Sequence, residues 1–127
     1  MNSLKRRRLF FSIFIFLLFN AHPLYADKAA ITITSPETAA KGSEVLVKLT
    51  ITHSANNFFH YINWVYLKVN GKEFARWDYS SGKRPEEASF TKEVKIPITA
   101  SIDLVAEANC NLHGSNGPVK WKIEMKE

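Results

Sequence analysis

The stretch "YINWVYLKVNGKEFARWDY", residues 61–79, contains two runs of alternating apolar and polar residues joined by Asn70-Gly71. An Asn-Gly pair favours a two-residue type I′ turn, because both residues tolerate positive φ. The runs on either side are rich in β-branched and aromatic residues, which are typical of strands. The stretch therefore predicts a β-hairpin near the middle of the chain.

The same period of two continues in the segments on either side of this hairpin. The apolar residues of "EVLVKLTIT" share one face, and those of "SIDLVAEANC" alternate in the same way and end at Cys110. The segments "AAITITS", "ASFTKEVKIPI" and "PVKWKIEMK" indicate further strands, and no run reads convincingly as a helix. About seven short strands in roughly 100 residues predict an all-β fold, an immunoglobulin-like antiparallel β-sandwich. We expect function on the loops at the strand ends.

The first 26 residues have the layout of a secretory signal peptide. A basic segment, "KRRR", precedes the apolar run "LFFSIFIFLLF", and the small residue Ala26 ends the segment. We therefore expect residues 1–26 to be removed and one domain, residues 27–127, to remain in the periplasm or to be secreted. The apolar run is shorter than the roughly 20 residues of a spanning helix. No stable membrane anchor is expected after cleavage, and an uncleaved anchor is the alternative.

The charge of the remaining chain gives no indication of a nucleic-acid partner. The whole chain has 17 Lys and Arg against 12 Asp and Glu. Four of the basic residues and none of the acidic ones lie in the first 26 residues, which leaves 13 against 12. Domains that bind nucleic acid usually carry a marked positive patch, so we expect no nucleic acid among the partners.

The only cysteine, Cys110, lies in "ANCNLHGSNG", three residues before His113. A single cysteine cannot form an internal disulfide, and a thiol in an oxidising compartment needs burial or a bound partner. Two other histidines, His53 and His60, bracket the loop "HSANNFFH". If the two loops meet, they supply three nitrogens and one sulfur, a donor set that suits iron, copper or zinc.

Each of these four residues also has a simpler interpretation. Cys110 continues an inward-facing apolar series and can be an inert core residue. His53 can be a surface residue, His60 can pack against neighbouring aromatic residues, and His113 can belong to a turn. Only the confinement of all four to two short segments favours a metal site.

Two segments, "CNLHG" and "HYINWVYLKVNGK", resemble the signature segments of the superoxide reductase family, the iron domain of desulfoferrodoxin and neelaredoxin. The resemblance extends over nearly all of the chain after the signal peptide. It implies an immunoglobulin-like sandwich with one mononuclear non-haem iron, held by equatorial histidines and an axial cysteine thiolate. It further implies that superoxide is the substrate, that hydrogen peroxide is the product, and that an external donor supplies the electron.

On this resemblance, Cys110 corresponds to the axial thiolate, and His60 and His113 correspond to two equatorial ligands. His53 corresponds to a third ligand less securely. The family has His-Pro there and five intervening residues, whereas this chain has His-Ser and six. Lys28 resembles the catalytic lysine that helps draw in the superoxide anion, and the simpler interpretation is that Asp27 and Lys28 form a solvated new N-terminus.

The fourth equatorial histidine has no counterpart, because "DKAAIT" places Ala29 at its position. Asp27 resembles the acidic residue of that segment. We expect a larger side chain at Ala29 to cost little packing so close to a chain terminus. Three imidazoles and a thiolate leave copper or zinc open as the metal. The alternatives to an enzyme are a non-catalytic periplasmic metal-binding or redox-sensing module on the same fold, and a structural sandwich that binds a partner.

Overall fold

The computed structural model describes residues 28–127, which form eight β-strands and no helix. In chain order the strands are β1 (Ala30–Thr34), β2 (Thr38–Ala40), β3 (Glu44–Thr52), β4 (Ile62–Val69), β5 (Lys72–Asp78), β6 (Phe90–Pro97), β7 (Ile102–Cys110) and β8 (Val119–Lys126). This range therefore holds no helix long and apolar enough to cross a membrane. The predicted signal peptide, residues 1–26, and Asp27 lie outside the described residues.

The strands form two sheets packed as a sandwich. The smaller sheet has the order β1-β3-β6 and the larger has the order β2-β8-β7-β4-β5. Neighbouring strands are antiparallel, except that β2 pairs with β8 in parallel. The predicted all-β sandwich is confirmed. β2 is an eighth strand that the sequence did not indicate, because its three residues, "TAA", carry no alternating pattern.

Asn70 and Gly71 form the predicted turn between β4 and β5. Both have positive φ, 50° and 81°, as a type I′ turn requires. The turn is tied to β7, because Asn70 Oδ1 accepts a hydrogen bond from the backbone N–H of Asp103 at 2.9 Å. The hairpin is therefore confirmed.

The core lies between the sheets and is lined by the alternating residues of the long strands. The buried side chains of β3 and β7 are Val45, Val47, Leu49, Ile51, Ile102, Leu104, Ala106, Ala108 and Cys110. β3 ends at Thr52 and β7 ends at Cys110. Because His53 and Cys110 lie close together, these two strand ends share one end of the sandwich.

Candidate metal centre

Cys110 and His113 lie in a tight loop, residues 110–114, here called the cysteine loop. Its backbone closes it twice: Cys110 N–H donates to the carbonyl of Gly114, and Gly114 N–H donates to the carbonyl of Cys110, both at 3.0 Å. Gly114 has a φ of 82°, which a residue without a Cβ adopts at little cost. The backbone N–H of His113 lies 3.4 Å from Cys110 Sγ, so the loop returns His113 to the sulfur.

His53 and His60 lie in a longer connection between β3 and β4, residues 53–61, here called the histidine loop. The side-chain oxygen of Asn57 accepts hydrogen bonds from the N–H groups of Phe59 and His60 at 3.0 and 2.9 Å. The N–H of Asn57 donates to the His60 carbonyl at 2.8 Å. Asparagine side chains often close turns in this way, and this turn directs the chain at His60 back towards β4.

One side chain joins the two loops. Asn111 Oδ1 accepts a hydrogen bond from Tyr61 N–H at 2.9 Å, and Asn111 Nδ2 donates to the Phe59 carbonyl at 3.1 Å. The backbone N–H of Asn111 also donates to the Tyr61 carbonyl at 3.0 Å. These three bonds hold the backbone on both sides of His60 against the cysteine loop.

A carboxylate on β7 holds the segment that follows the cysteine loop. Glu107 accepts hydrogen bonds from the hydroxyls of Ser115 and Tyr66, both at 3.3 Å. Burial, and then the negative charge of Glu107, raise the pKa of Tyr66. The phenol therefore stays protonated at neutral pH and keeps donating to Glu107. The same carboxylate fixes Ser115, directly after Gly114.

Three of the four predicted ligand residues form one compact group at this end of the sandwich, and His113 lies at its edge, outside that group. One donor atom from each of His53, His60 and Cys110 lies within 4.8 Å of the other two. Nδ1 of His113 lies 3.1 Å from Nε2 of His60 and 3.9 Å from Sγ of Cys110. The His60 ring makes edge contacts with the rings of His53 and His113, at centroid separations of 4.5 and 4.7 Å.

Two features of this cluster fit a bound metal ion. Nε2 of His53 is buried and has no hydrogen-bond partner among the described residues, although buried polar atoms are nearly always paired. Ring nitrogens of His60 and His113 lie 3.1 Å apart, a separation that fits two ligands of one ion and equally fits an N–H···N hydrogen bond between the rings. Imidazole nitrogen and thiolate sulfur suit iron, copper and zinc alike.

The cluster spans the boundary between core and solvent. Cys110 and His53 are buried, with exposed fractions of 1% and 4%. His60 is half-buried and His113 is exposed. Solvent therefore reaches the cluster from the side of His113, while Cys110 is enclosed. Large apolar side chains are exposed on the same two loops, namely Phe58, Phe59 and Leu112.

A family model described as desulfoferrodoxin matches residues 25–117, a range that includes the whole cluster. The chain belongs to the desulfoferrodoxin family. The solved structure of neelaredoxin, a superoxide reductase from Ignicoccus hospitalis, is 22% identical, with a TM-score of 0.64 over 80% of this chain and 84% of that one. No curated protein sequence matches the chain. The family expected from the two signature segments is confirmed.

The fold is also similar to that of proteins with other descriptions. The sulfur carrier protein SoxY from Chlorobium limicola is 15% identical, with a TM-score of 0.53 over 77% of this chain and 80% of that one. A CARDB domain from Pyrococcus furiosus is 11% identical, with a TM-score of 0.60 over 78% of this chain and 94% of that one. Likeness at such identities reflects the fold alone, so the sandwich by itself does not specify a function.

In this member of the desulfoferrodoxin family, the start of the described chain lies against the cysteine loop. Ala29 N–H donates to the carbonyl of Gly114 at 3.2 Å, and the Ala29 carbonyl accepts a hydrogen bond from Asn116 N–H at 2.9 Å. Lys28 is exposed directly before this contact. The backbone of its neighbour therefore keeps Lys28 near the loop that carries Cys110.

The burial of Ala29 corrects one expectation from the sequence. Its side chain is 1% exposed and belongs to the core, so a larger side chain would displace packed neighbours. β1 and β3 pair with Ala30 opposite Thr52. The pairing of β1 with β3 ends there, and Ala29 bridges Ser115 instead. The methyl group of Ala29 therefore occupies the core beside the segment that follows the cysteine loop, at the sequence position where the resemblance puts the fourth histidine of the family.

Sequence reasoning missed the asparagines that organise the two loops, Asn56, Asn57 and Asn111. Asn111 bonds to residues 50 and 52 positions earlier in the chain, and Asn56 bonds to Glu87, 31 positions later. No local pattern signals contacts across such separations. The abundance of asparagine in "HSANNFFH" and "CNLHGSNG" was the available indication, because asparagine side chains replace backbone partners in turns.

Proposed function

We propose that this chain is an exported superoxide reductase that binds one mononuclear non-haem iron and reduces superoxide to hydrogen peroxide. The observation that carries the proposal is the group of His53, His60 and Cys110 with His113 at its edge, in which the buried Nε2 of His53 has no hydrogen-bond partner among residues 28–127. Membership of the desulfoferrodoxin family supports iron as the metal. The predicted signal peptide supports a periplasmic or secreted location.

In this proposal, His53, His60, His113 and Cys110 hold the ion. Bound ferrous iron would supply the electron and a binding position for the superoxide anion. The Cys110 thiolate would donate electron density to the metal. Thiolate ligands favour the reduction of metal-bound oxygen species in this way. The His113 N–H, 3.4 Å from the sulfur, draws part of that density away, and such contacts tune a metal centre.

Lys28 is proposed to attract the superoxide anion electrostatically, before the reduction step. Lys28 is exposed, and its neighbour Ala29 is bonded to Gly114, so its ammonium group would attract superoxide towards the cysteine loop and raise its local concentration. The reaction consumes two protons for each electron, and the exposed edge of the cluster at His113 leaves solvent available to supply them. An external electron donor then returns the centre to its reduced state.

The alternative is a metal-binding or redox-sensing module that does not turn over. The observation that favours it is Ala29, whose methyl group provides no fourth imidazole although its backbone is bonded to Gly114 of the cysteine loop. Three imidazoles and a thiolate are also a suitable set for four-coordinate zinc or copper. Such a module would bind metal tightly and would not consume superoxide continuously.

Metal analysis of the protein purified from its own compartment separates the two functions. We expect stoichiometric iron and, in the oxidised form, a visible sulfur-to-iron charge-transfer band that Cys110→Ser abolishes. Pulsed superoxide should decay faster in the presence of the reduced protein and should yield hydrogen peroxide. Zinc or copper, with no effect on superoxide, would support the alternative. Equal metal content and colourless spectra in both proteins would make Cys110 an inert core residue.

The intact mass of the same sample tests export. We expect a chain that begins at Asp27, because the basic, apolar and small-residue order of the first 26 residues predicts cleavage after Ala26. A full-length chain in the membrane fraction would contradict this.

A further inference from the structure

Asn56 connects three separate parts of the molecule at the inner side of the cluster. Its Oδ1 accepts a hydrogen bond from the backbone N–H of Ile62, the first residue of β4, at 2.7 Å. Its Nδ2 donates to the carbonyl of Glu87 in the β5–β6 connection at 2.8 Å. The same Oδ1 lies 3.4 Å from Nδ1 of His53.

These partners fix which way the amide of Asn56 points. A backbone N–H can only donate and a backbone carbonyl can only accept, so the Ile62 and Glu87 contacts require Oδ1 and Nδ2 as described. The atom that faces His53 Nδ1 is therefore an acceptor. A neutral imidazole carries one proton, and this contact favours that proton on Nδ1, which leaves the lone pair on Nε2.

We propose that Asn56 is a positioning residue that holds His53 as the Nδ1–H tautomer and directs its Nε2 lone pair into the metal cluster. The proposal rests on the proposed metal centre. It explains why Nε2 of His53 is buried without a hydrogen-bond partner among the described residues. It also makes the Glu87 carbonyl an indirect support of the centre. Partners that orient a ligating histidine typically contribute 10–100-fold in metal affinity.

The next residue, Asn57, provides a matched control. Its side chain accepts from the N–H groups of Phe59 and His60 and shapes the turn before His60. Both asparagines stabilise the histidine loop, but only Asn56 contacts the His53 ring. A general loosening of the loop should follow from either substitution, whereas a change at the His53 ring should follow only from substitution of Asn56.

The test is long-range ¹H–¹⁵N NMR of the histidine rings in the purified protein after its metal is removed by chelation, together with Co²⁺ affinity. We expect His53 to carry its proton on Nδ1 in the wild type. Asn56→Leu should give mixed tautomers or the Nε2–H form and should lower Co²⁺ affinity about 10–100-fold. Asn56→Asp keeps the acceptor for His53 and Ile62 but cannot donate to the Glu87 carbonyl, so it should retain the tautomer and lose less Co²⁺ affinity than Asn56→Leu. Asn57→Ala should leave the His53 tautomer unchanged.

A wild-type His53 with its proton on Nε2 would overturn the proposal without any variant. An Asn56→Leu protein that folds and keeps the Nδ1–H tautomer would overturn it as well. These outcomes are separate from a failure of the proposed function. A third outcome is that the tautomer and the Co²⁺ affinities behave as expected while the iron protein fails to consume superoxide. In that case Asn56 is a positioning residue, but the proposed superoxide reductase activity is wrong.

Discussion

The cysteine loop and the histidine loop each contain two of the four proposed donor residues, but they are held in different ways. The cysteine loop closes through its own backbone, in which Cys110 and Gly114 exchange two hydrogen bonds. The histidine loop is longer, and the side chains of Asn56 and Asn57 accept the hydrogen bonds that order it. Ordering a longer loop loses more conformational entropy, so it needs additional contacts to fix two side chains.

The two loops are alike in one respect, because each has a donor in the interior and a donor nearer to solvent. Cys110 is the last residue of β7, His53 directly follows β3, and both are buried. His60 and His113 lie further out, and Asn111 links the segments that carry them. Water can reach an outer position more easily than an inner one. Loss of an inner donor should therefore weaken a bound metal more than loss of an outer donor.

The largest effect is expected for the buried histidine. His53→Ala should lower metal affinity by more than an order of magnitude, since even the loss of a partner that orients a ligand costs roughly 10–100-fold. His113→Ala should lower it less, because solvent can occupy the exposed position. Competition titration with Co²⁺ measures both. This order reverses the one expected from the sequence, in which the extra residue of the histidine loop made His53 the least secure ligand.

Thr52→Ala is the control for this comparison, because Thr52 is exposed at the end of β3 beside His53. We expect its metal affinity to equal that of the wild type. Wild-type affinity in His53→Ala would show that His53 is a core residue and that the centre depends on the cysteine loop and His60.

The features that could be predicted from sequence are those with a local cause. The alternation in β3 and β7, the Asn70-Gly71 turn and the short spacing from Cys110 to His113 all depend on neighbouring residues. β2 was missed because its three residues are ordered by pairing with β8. The burial of Ala29 was missed because it depends on hydrogen bonds to Gly114 and Asn116, which lie at the other end of the chain. The sequence could not predict that the two loops meet, because no local pattern requires it. It predicted only that a metal site would form if they did.

A smaller effect should follow from strain in the cysteine loop. Gly114→Ala places a Cβ on a residue with φ of 82°, where the nearest atom to that Cβ is Asn109 Oδ1 at 3.9 Å. The space is sufficient, so the expected loss of about 1–2 kcal/mol in the free energy of unfolding comes from the left-handed backbone alone. The same strain should shift His113 relative to Cys110 and lower metal affinity.

Gly42 provides the matched control, because it has a φ of 80° and nothing within 4 Å of an added Cβ. Gly42 lies in the turn between β2 and β3, outside both loops. Gly42→Ala should lose a similar unfolding free energy in chemical denaturation and should leave metal affinity unchanged. Equal metal affinity in the two variants would mean that the backbone of the cysteine loop does not set the geometry of the donors.

The smallest effect on the free energy of unfolding is expected at Asn111, which links the two loops. Asn111→Ala removes the side-chain hydrogen bonds to Tyr61 N–H and the Phe59 carbonyl. Both lie near solvent, so we expect a loss of about 1 kcal/mol in unfolding free energy. Asn111→Asp keeps the acceptor for Tyr61 N–H and should recover part of this loss.

In the metal-free protein, NMR contacts between the rings of His60 and His113 should weaken in Asn111→Ala. Contacts between the rings of His53 and His60, which share the histidine loop, should persist. If both sets persist, the backbone bond from Asn111 N–H to the Tyr61 carbonyl is sufficient to join the loops. The contact between the two loops would then depend on the main chain alone. The loops would differ only in that side chains order the histidine loop internally, whereas backbone bonds close the cysteine loop.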